Sequence, residues 1–208
     1  DDQADSEKSV NAYNTLKDWG MQALIGTTTS TPCTAVVEET HSDNMFQLTP
    51  SATAVDSIQY DNAFRMCFSD PNQGSASADY IAENKLATKV AIIYNSSDTY
   101  SSGIYQTFAT EANAKGLDVV AAEAFTADNK TDFSVQIQKA KDAGAELVFL
   151  PIYYQEASLI LAQANKAGFT PKWFGCDGMD GILDLDGFDA SLAEDLMFLT
   201  PFTANATD

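Results

Sequence analysis

The 208-residue sequence predicts an α/β fold in which parallel sheets are covered by helices on both faces. Short apolar runs alternate with longer segments whose apolar residues recur at helical spacing. Lys89-Val90-Ala91-Ile92-Ile93-Tyr94 and Leu147-Val148-Phe149-Leu150 are almost wholly apolar, as strands buried on both sides are. Gly20, Gly116, Gly144 and Gly168 each stand where a helical stretch must stop.

The elements follow in order. Ser6 suits the cap of a helix striped by Ala12, Leu16 and Trp19 and ended by Gly20. Ala23-Leu24-Ile25-Gly26 is the strand that follows. Pro32 sits well at the start of a helix running to about Ser42. Met45-Phe46-Gln47-Leu48 is a second strand, and Phe64-Arg65-Met66-Cys67-Phe68 a third, ended by Ser69-Asp70-Pro71. Beyond Pro71 the rhythm restarts with a helix near residues 74 to 85 and then the strand at Lys89. Ile104, Phe108 and Ala112 stripe a helix that leads to a strand at Val119-Val120. Phe133, Ile137 and Ala140 stripe the helix before Leu147, and Ala157, Leu161 and Ala164 the one before Trp173-Phe174-Gly175. A last strand is expected at Leu196-Met197-Phe198-Leu199.

Composition excludes several function classes. Thirty acidic residues against 11 basic ones give a formal charge of −19, which repels nucleic acid and anionic membranes. No apolar run reaches the ~18 residues a membrane span needs. Cys33, Cys67 and Cys176 are odd in number and lack metal-ligand spacing, so each is read as filling a small buried space. No cofactor or metal is expected. The single histidine, His41, follows Glu38-Glu39-Thr40 at the polar end of a helix, where a cation is favoured. No Gly-x-Ser-x-Gly elbow and no Gly-rich phosphate loop accompany it, so catalysis is not expected. Carboxylate pairs of the glycosidase kind stay open, because so many acids always offer pairs.

Three separated stretches carry a binding chemistry instead. Thr27-Thr28-Thr29-Ser30-Thr31-Pro32 follows one strand and opens a helix, Thr49-Pro50-Ser51-Ala52-Thr53 follows another, and Gly175-Cys176-Asp177-Gly178 a third. Ligands of parallel sheets collect at the C-terminal ends of strands, which is where all three fall. Hydroxyls at a helix N-terminus suit a carboxylate, and a carboxylate at a strand end suits an ammonium. Together they suit a free amino acid. Each residue also has a plainer reading. Ser30 and Thr31 could be helix caps, Thr53 could cap a helix starting near Val55, Asp177 could be a turn residue, and Tyr153-Tyr154 strand-end core.

The runs Ile25–Thr31 and Thr49–Thr53, with Tyr94 to Tyr100 before Gly103, Asp132-Phe133-Ser134, Tyr153-Tyr154-Gln155-Glu156 and Gly175–Gly178, carry a family resemblance over essentially the whole chain. The sequence is similar to type I periplasmic binding proteins, and among them to the leucine/isoleucine/valine-binding proteins of ABC transporters. The resemblance implies two Rossmann-like lobes, the first partial here: residues 1–69 as partial first lobe, 70–199 as second lobe, and 200–208 as a return crossing. It also implies that the family's first strand and helix precede Asp1.

The resemblance assigns roles by position. Ser30 resembles the residue whose hydroxyl and N–H take the ligand carboxylate, with Thr31 beside it. Thr53 resembles one whose N–H serves the carboxylate and whose hydroxyl serves the ammonium, with the Ala52 carbonyl as a further acceptor. Asp177 stands where the family places an acid against the ammonium, and Tyr100 and Tyr153 resemble the aromatic wall that the second lobe closes over the ligand. Asp177 is shorter than the Glu common among branched-chain binders, so it must sit closer to the ammonium or reach it through water.

The implied function is extracytoplasmic capture of an amino acid, branched-chain or otherwise aliphatic, for delivery to the permease subunits of an ABC importer. Closure would hinge near Ser69-Asp70-Pro71 and Thr200-Pro201. The alternatives are the amino-acid-sensing ectodomain of a membrane receptor, which would share this chemistry, or a binder of another small polar solute. Arg65 is the only arginine, which disfavours a sugar.

Overall fold

The computed structural model describes residues 2–203 of the chain. The rest of the expected return crossing, from Ala204 on, lies outside the described residues. Two compact units divide at Asn72 and Gln73.

In the first unit, α1 (Ser6–Trp19) precedes β1 (Leu24–Ile25), α2 (Ser30–Ser42), β2 (Gln47–Thr49), a 3-10 turn at Val55–Ile58 and β3 (Ala63–Arg65). The cap of α1 is Asp5 and not Ser6. Asp5 is extended and its carboxylate accepts the Lys8 N–H at 2.8 Å, while the Ser6 hydroxyl donates to the Thr31 carbonyl. Gly20, at φ +105°, ends the helix as expected, in a conformation a side chain would strain. The expected stripe is on the wrong face. Trp19 is 85% exposed and Leu16 44%, whereas Ser9 and Tyr13 are buried. The buried face carries a polar contact: the Tyr13 hydroxyl donates to Asp43, just past α2, at 2.8 Å, and Lys17 pairs with the same carboxylate at 2.6 Å.

The three strands are parallel in the order β1-β2-β3. Gln47 and Ala63 are opposite each other and buried, with Thr40 of α2 donating to Gln47 at 2.7 Å. Ile25 and Phe64, on the alternate register, are exposed. β3 stops at Arg65 and does not reach Phe68. After Met66 donates to Thr49 the neighbouring strand has ended, and Pro50 offers no N–H to continue it.

In the second unit, α3 (Asp70–Glu83, whose first turn overlaps the division), β4 (Lys89–Asn95), α4 (Thr99–Ala114), β5 (Asp118–Phe125), α5 (Ser134–Asp142), β6 (Leu147–Leu150), α6 (Tyr154–Lys166) and β7 (Lys172–Gly175) alternate, then 3-10 turns lead to β8 (Met197–Phe198). The sheet is parallel throughout, in the order β5-β4-β6-β7-β8. Both faces are buried. Ala91, Ile93, Val148 and Leu150 meet α5 and α6 residues, while Val90, Ile92, Leu147 and Phe149 meet those of α3 and α4. That alternation explains the unbroken apolar runs.

Three bounds differ from expectation. α3 begins at Asp70, because Pro71 is tolerated in a first turn. β5 runs to Phe125, since its Ala-rich second half follows β4 residue by residue despite carrying no strand signal of its own. β8 is shorter than Leu196–Leu199.

Gly74 lets α3 and α4 touch. A Cβ there would lie 2.7 Å from both the Ile104 carbonyl and the Phe108 nitrogen, inside the side chain of Thr107 as well. Cys33 and Cys176 are buried as expected, but Cys67 is only half-buried. His41 is exposed at the end of α2 and stacks on Tyr60 with ring centroids 3.9 Å apart. Among the described residues no helix is long and apolar enough to cross a membrane.

Candidate ligand-binding site

The adjacent, parallel strands β1 and β2 bring the loops after them together. The Thr49 hydroxyl donates to the Thr27 carbonyl at 2.7 Å, and Ser51 to Thr28 at 2.8 Å. Ser30 is the first residue of α2 and is buried. It is not the cap; Thr29 holds that position, without a side-chain bond. The Ser30 hydroxyl oxygen instead accepts the N–H groups of Thr53 and Ala54, both at 3.1 Å. With its acceptor capacity used, its own proton is left to donate. Thr31 is half-buried at the second helical position, its carbonyl accepting the hydroxyls of Ser6 and Thr34.

Thr53 makes bonds that its sequence context did not indicate. Its N–H is committed to Ser30 rather than available to a carboxylate. Nor does it cap the turn at Val55–Ile58, whose cap is Ala54 without a side-chain bond. Its own hydroxyl is buried with no hydrogen-bond partner, an arrangement that costs about 1–3 kcal/mol unless something supplies the bond. Ala52, fully buried, donates its N–H to Thr49 at 2.9 Å. Arg65 holds the loop by donating to the carbonyls of Thr53 and Ala54, both at 2.9 Å. This cluster therefore combines the start of a helix, a serine with a proton to give, and an unused threonine hydroxyl. It is suited to a carboxylate.

In the second unit the neighbouring strands β4, β6 and β7 place Tyr100, Tyr153 and Asp177 together. The Tyr100 hydroxyl donates to Asp177 Oδ1 at 2.8 Å and accepts the Gly178 N–H at 3.0 Å. Its ring stacks on Tyr153 with centroids 4.8 Å apart. The Asp177 N–H donates to Gln73 Oε1 at 3.1 Å. Burial pushes the Asp177 carboxyl above the usual carboxylate range, while the Tyr100 hydroxyl and backbone N–H groups work against the rise. Burial, and next the Asp177 charge, push the Tyr100 phenol well up, so it stays a donor. The two tyrosines thus differ. Tyr100 is 2% exposed and committed to orienting the carboxylate, whereas Tyr153 is half-buried. A carboxylate held by neutral donors beside an aromatic pair suits a cation.

Three residues here carry more than their sequence context suggests. Gly178 must lack a side chain, since a Cβ would lie 2.9 Å from both the Tyr100 hydroxyl and the Ile152 carbonyl. Arg65 had one signal, being the sole arginine. Gln73 had none, because its contact to Asp177 spans 104 residues.

A protein-family model described as "Periplasmic binding protein" matches residues 1–208. The Leu/Ile/Val-binding protein homolog 3 of Brucella melitensis is 30% identical over 181 residues, covering 86% of this chain and 49% of its own length. The Leu/Ile/Val-binding protein of Citrobacter freundii is 26% identical over 206 residues, covering 97% of this chain and 54% of its own. The crystal structure of LivJ from Streptococcus pneumoniae in complex with isoleucine superposes with a TM-score of 0.90 at 25% identity. That match covers 100% of this chain and 59% of the other. The chain spans about half the length of the curated relatives it matches.

Proposed function

The chain belongs to the periplasmic binding protein family, and on that premise we propose that it captures a free amino acid, branched-chain or otherwise aliphatic, for an ABC importer. The observation that carries this reading is Asp177: a half-buried carboxylate whose hydrogen-bond partners are neutral, next to stacked tyrosine rings. A carboxylate in that setting gains most from an ammonium, and cation–π attraction adds about 0.5–2 kcal/mol. The Ser30–Thr53 cluster, with its helix N-terminus, serves the carboxylate of the same zwitterion. The Thr53 hydroxyl and the Ala52 carbonyl add acceptors for the ammonium, with Thr31 completing the helix start. Isoleucine in the LivJ complex and the names of the sequence relatives favour an aliphatic side chain.

The protein performs no chemistry of its own in this reading. The liganded form docks on the permease subunits outside the cytoplasm. A thermal-shift screen of the full-length gene product against the common L-amino acids, sugars and short peptides tests it. Ligand at about 100 times its Kd adds roughly 2.7 kcal/mol of stability, so a clear rise in Tm is expected with Leu, Ile or Val. Stabilisation by sugars or peptides alone rejects the reading.

A further inference from the structure

Gln73 is the first residue of the second unit and is fully buried near the start of α3. Its side-chain oxygen accepts the Asp177 N–H at 3.1 Å, which fixes the orientation of the amide because only that oxygen can accept. Its Nε2 is buried without a hydrogen-bond partner. Gly74, next in sequence, clamps this turn of α3 onto α4 at Ile104 and Phe108, so Gln73 has little freedom to move away. α4 is also the helix that supplies Tyr100.

We propose that Gln73 is a positioning residue for the ammonium site: its buried amide oxygen holds the Asp177 N–H and so keeps the Asp177 carboxylate on the Tyr100 hydroxyl. The proposal rests on the reading of Asp177 as the ammonium anchor. The Tyr100 phenol from α4 donates to Asp177, and the titratable neighbours of that phenol are Tyr153, at the cap of α6, and the Cys176 thiol, both neutral when protonated. The Tyr100 hydroxyl is the side chain that donates to this carboxylate, so a loosened Asp177 backbone would weaken the bond that offsets burial of the charge.

The test uses the full-length gene product with Gln73→Met, which keeps the volume and removes both polar atoms. In the unliganded protein the Asp177 carboxyl is titrated by NMR with carbon-13-labelled aspartate. The midpoint is expected to move to higher pH by about one pH unit in the variant. L-isoleucine affinity, measured by calorimetry from pH 5 to pH 8, should fall by about 10- to 100-fold at the acid end and less at pH 8. In an Asp177→Asn background the same change should cost less and show no pH dependence, because only the backbone bond is lost there. An unmoved midpoint overturns the proposal, as does an equal loss at every pH and in both backgrounds. If Gln73→Met does not fold, Gln73→Asn shortens the side chain so that its oxygen no longer reaches the Asp177 N–H, and an unmoved Asp177 midpoint in that variant overturns the proposal equally. The amino-acid reading fails separately, when the unmodified protein binds no amino acid while the titration still shifts.

Discussion

Tyr100 and Asp177, 77 residues apart in sequence, share one proton bridge: the phenol donates to the carboxylate at 2.8 Å while accepting the backbone N–H of Gly178 at 3.0 Å. A phenol held in this way cannot turn to another partner without releasing two bonds. It also fixes one of the two Asp177 oxygens, so the other is directed by default. The aromatic pair is thus divided in its work, Tyr100 behind the carboxylate and Tyr153 stacked on it. Four expectations follow from this arrangement and its counterpart around Ser30.

Asp177→Ala should weaken amino-acid binding by about 2–5 kcal/mol, because it strands a desolvated ammonium without its charge partner. Calorimetry on the full-length gene product reads the loss directly. An unchanged affinity rejects the role given to Asp177.

Burial raises the Asp177 carboxyl above the ordinary carboxylate range, and the sign of the effect differs for stability and for binding. Between the unfolded value and the raised folded value, the folded state holds more protons. Unliganded stability therefore falls as pH rises through that window and stays lower above it. Asp177→Asn should remove this slope and raise Tm at pH 7, each kcal/mol being worth about 2–4 °C in a chain of this size. Ligand affinity runs the other way. It should be lost as pH falls through the raised value, at less acid pH than an exposed aspartate would give. Melting curves and calorimetry between pH 4 and pH 8 check both signs.

Ser30 and Thr53 should separate stability from affinity. Ser30→Ala removes the acceptor of two buried N–H groups and should cost about 1–3 kcal/mol of stability as well as affinity. Thr53→Val removes a hydroxyl that has no partner, so stability should change by less than about 0.5 kcal/mol or rise, while affinity falls. Urea unfolding with parallel binding measurements distinguishes the two. A large loss of stability in Thr53→Val would contradict the placement of its hydroxyl.

Gly74→Ala should destabilise the second unit by about 1–3 kcal/mol, since its Cβ would strike backbone atoms of α4 that cannot give way. Gly178→Ala should be milder in stability and severe in binding, because the new methyl group pushes on the Tyr100 hydroxyl and loosens Asp177. Thermal unfolding and L-isoleucine titration of both variants provide the comparison. Equal behaviour of the two would mean that Gly178 acts only through packing.

Periodicity carried most of the second unit. Ile92, Phe149 and Phe174 lie in strands buried on both faces, and continuous apolar composition reports that condition without knowledge of any partner. The same signal misled at α1. Ala12, Leu16 and Trp19 have helical spacing, but the buried face carries Ser9 and Tyr13, with Tyr13 bonded to Asp43, 30 residues away. β5 was only partly visible because Ala121 and Ala124 take their strand conformation from β4. Ser6 looked like a cap until Asp5, one residue earlier, provided the stronger acceptor.

The candidate site divides in the same way. Residue type and position after a strand pointed to Ser30, Thr53 and Asp177, because strand ends and helix starts are local features, whereas Tyr100 and Tyr153 entered only through the family resemblance. Which hydrogen bond each makes was written in neither. The commitment of the Thr53 N–H to Ser30, the separate duties of the two tyrosines, and the grip of Gln73 on Asp177 arise from contacts between segments 23 to 104 residues apart. Local pattern encodes what a segment can become; the partner that satisfies its last donor or acceptor exists only after the segments meet.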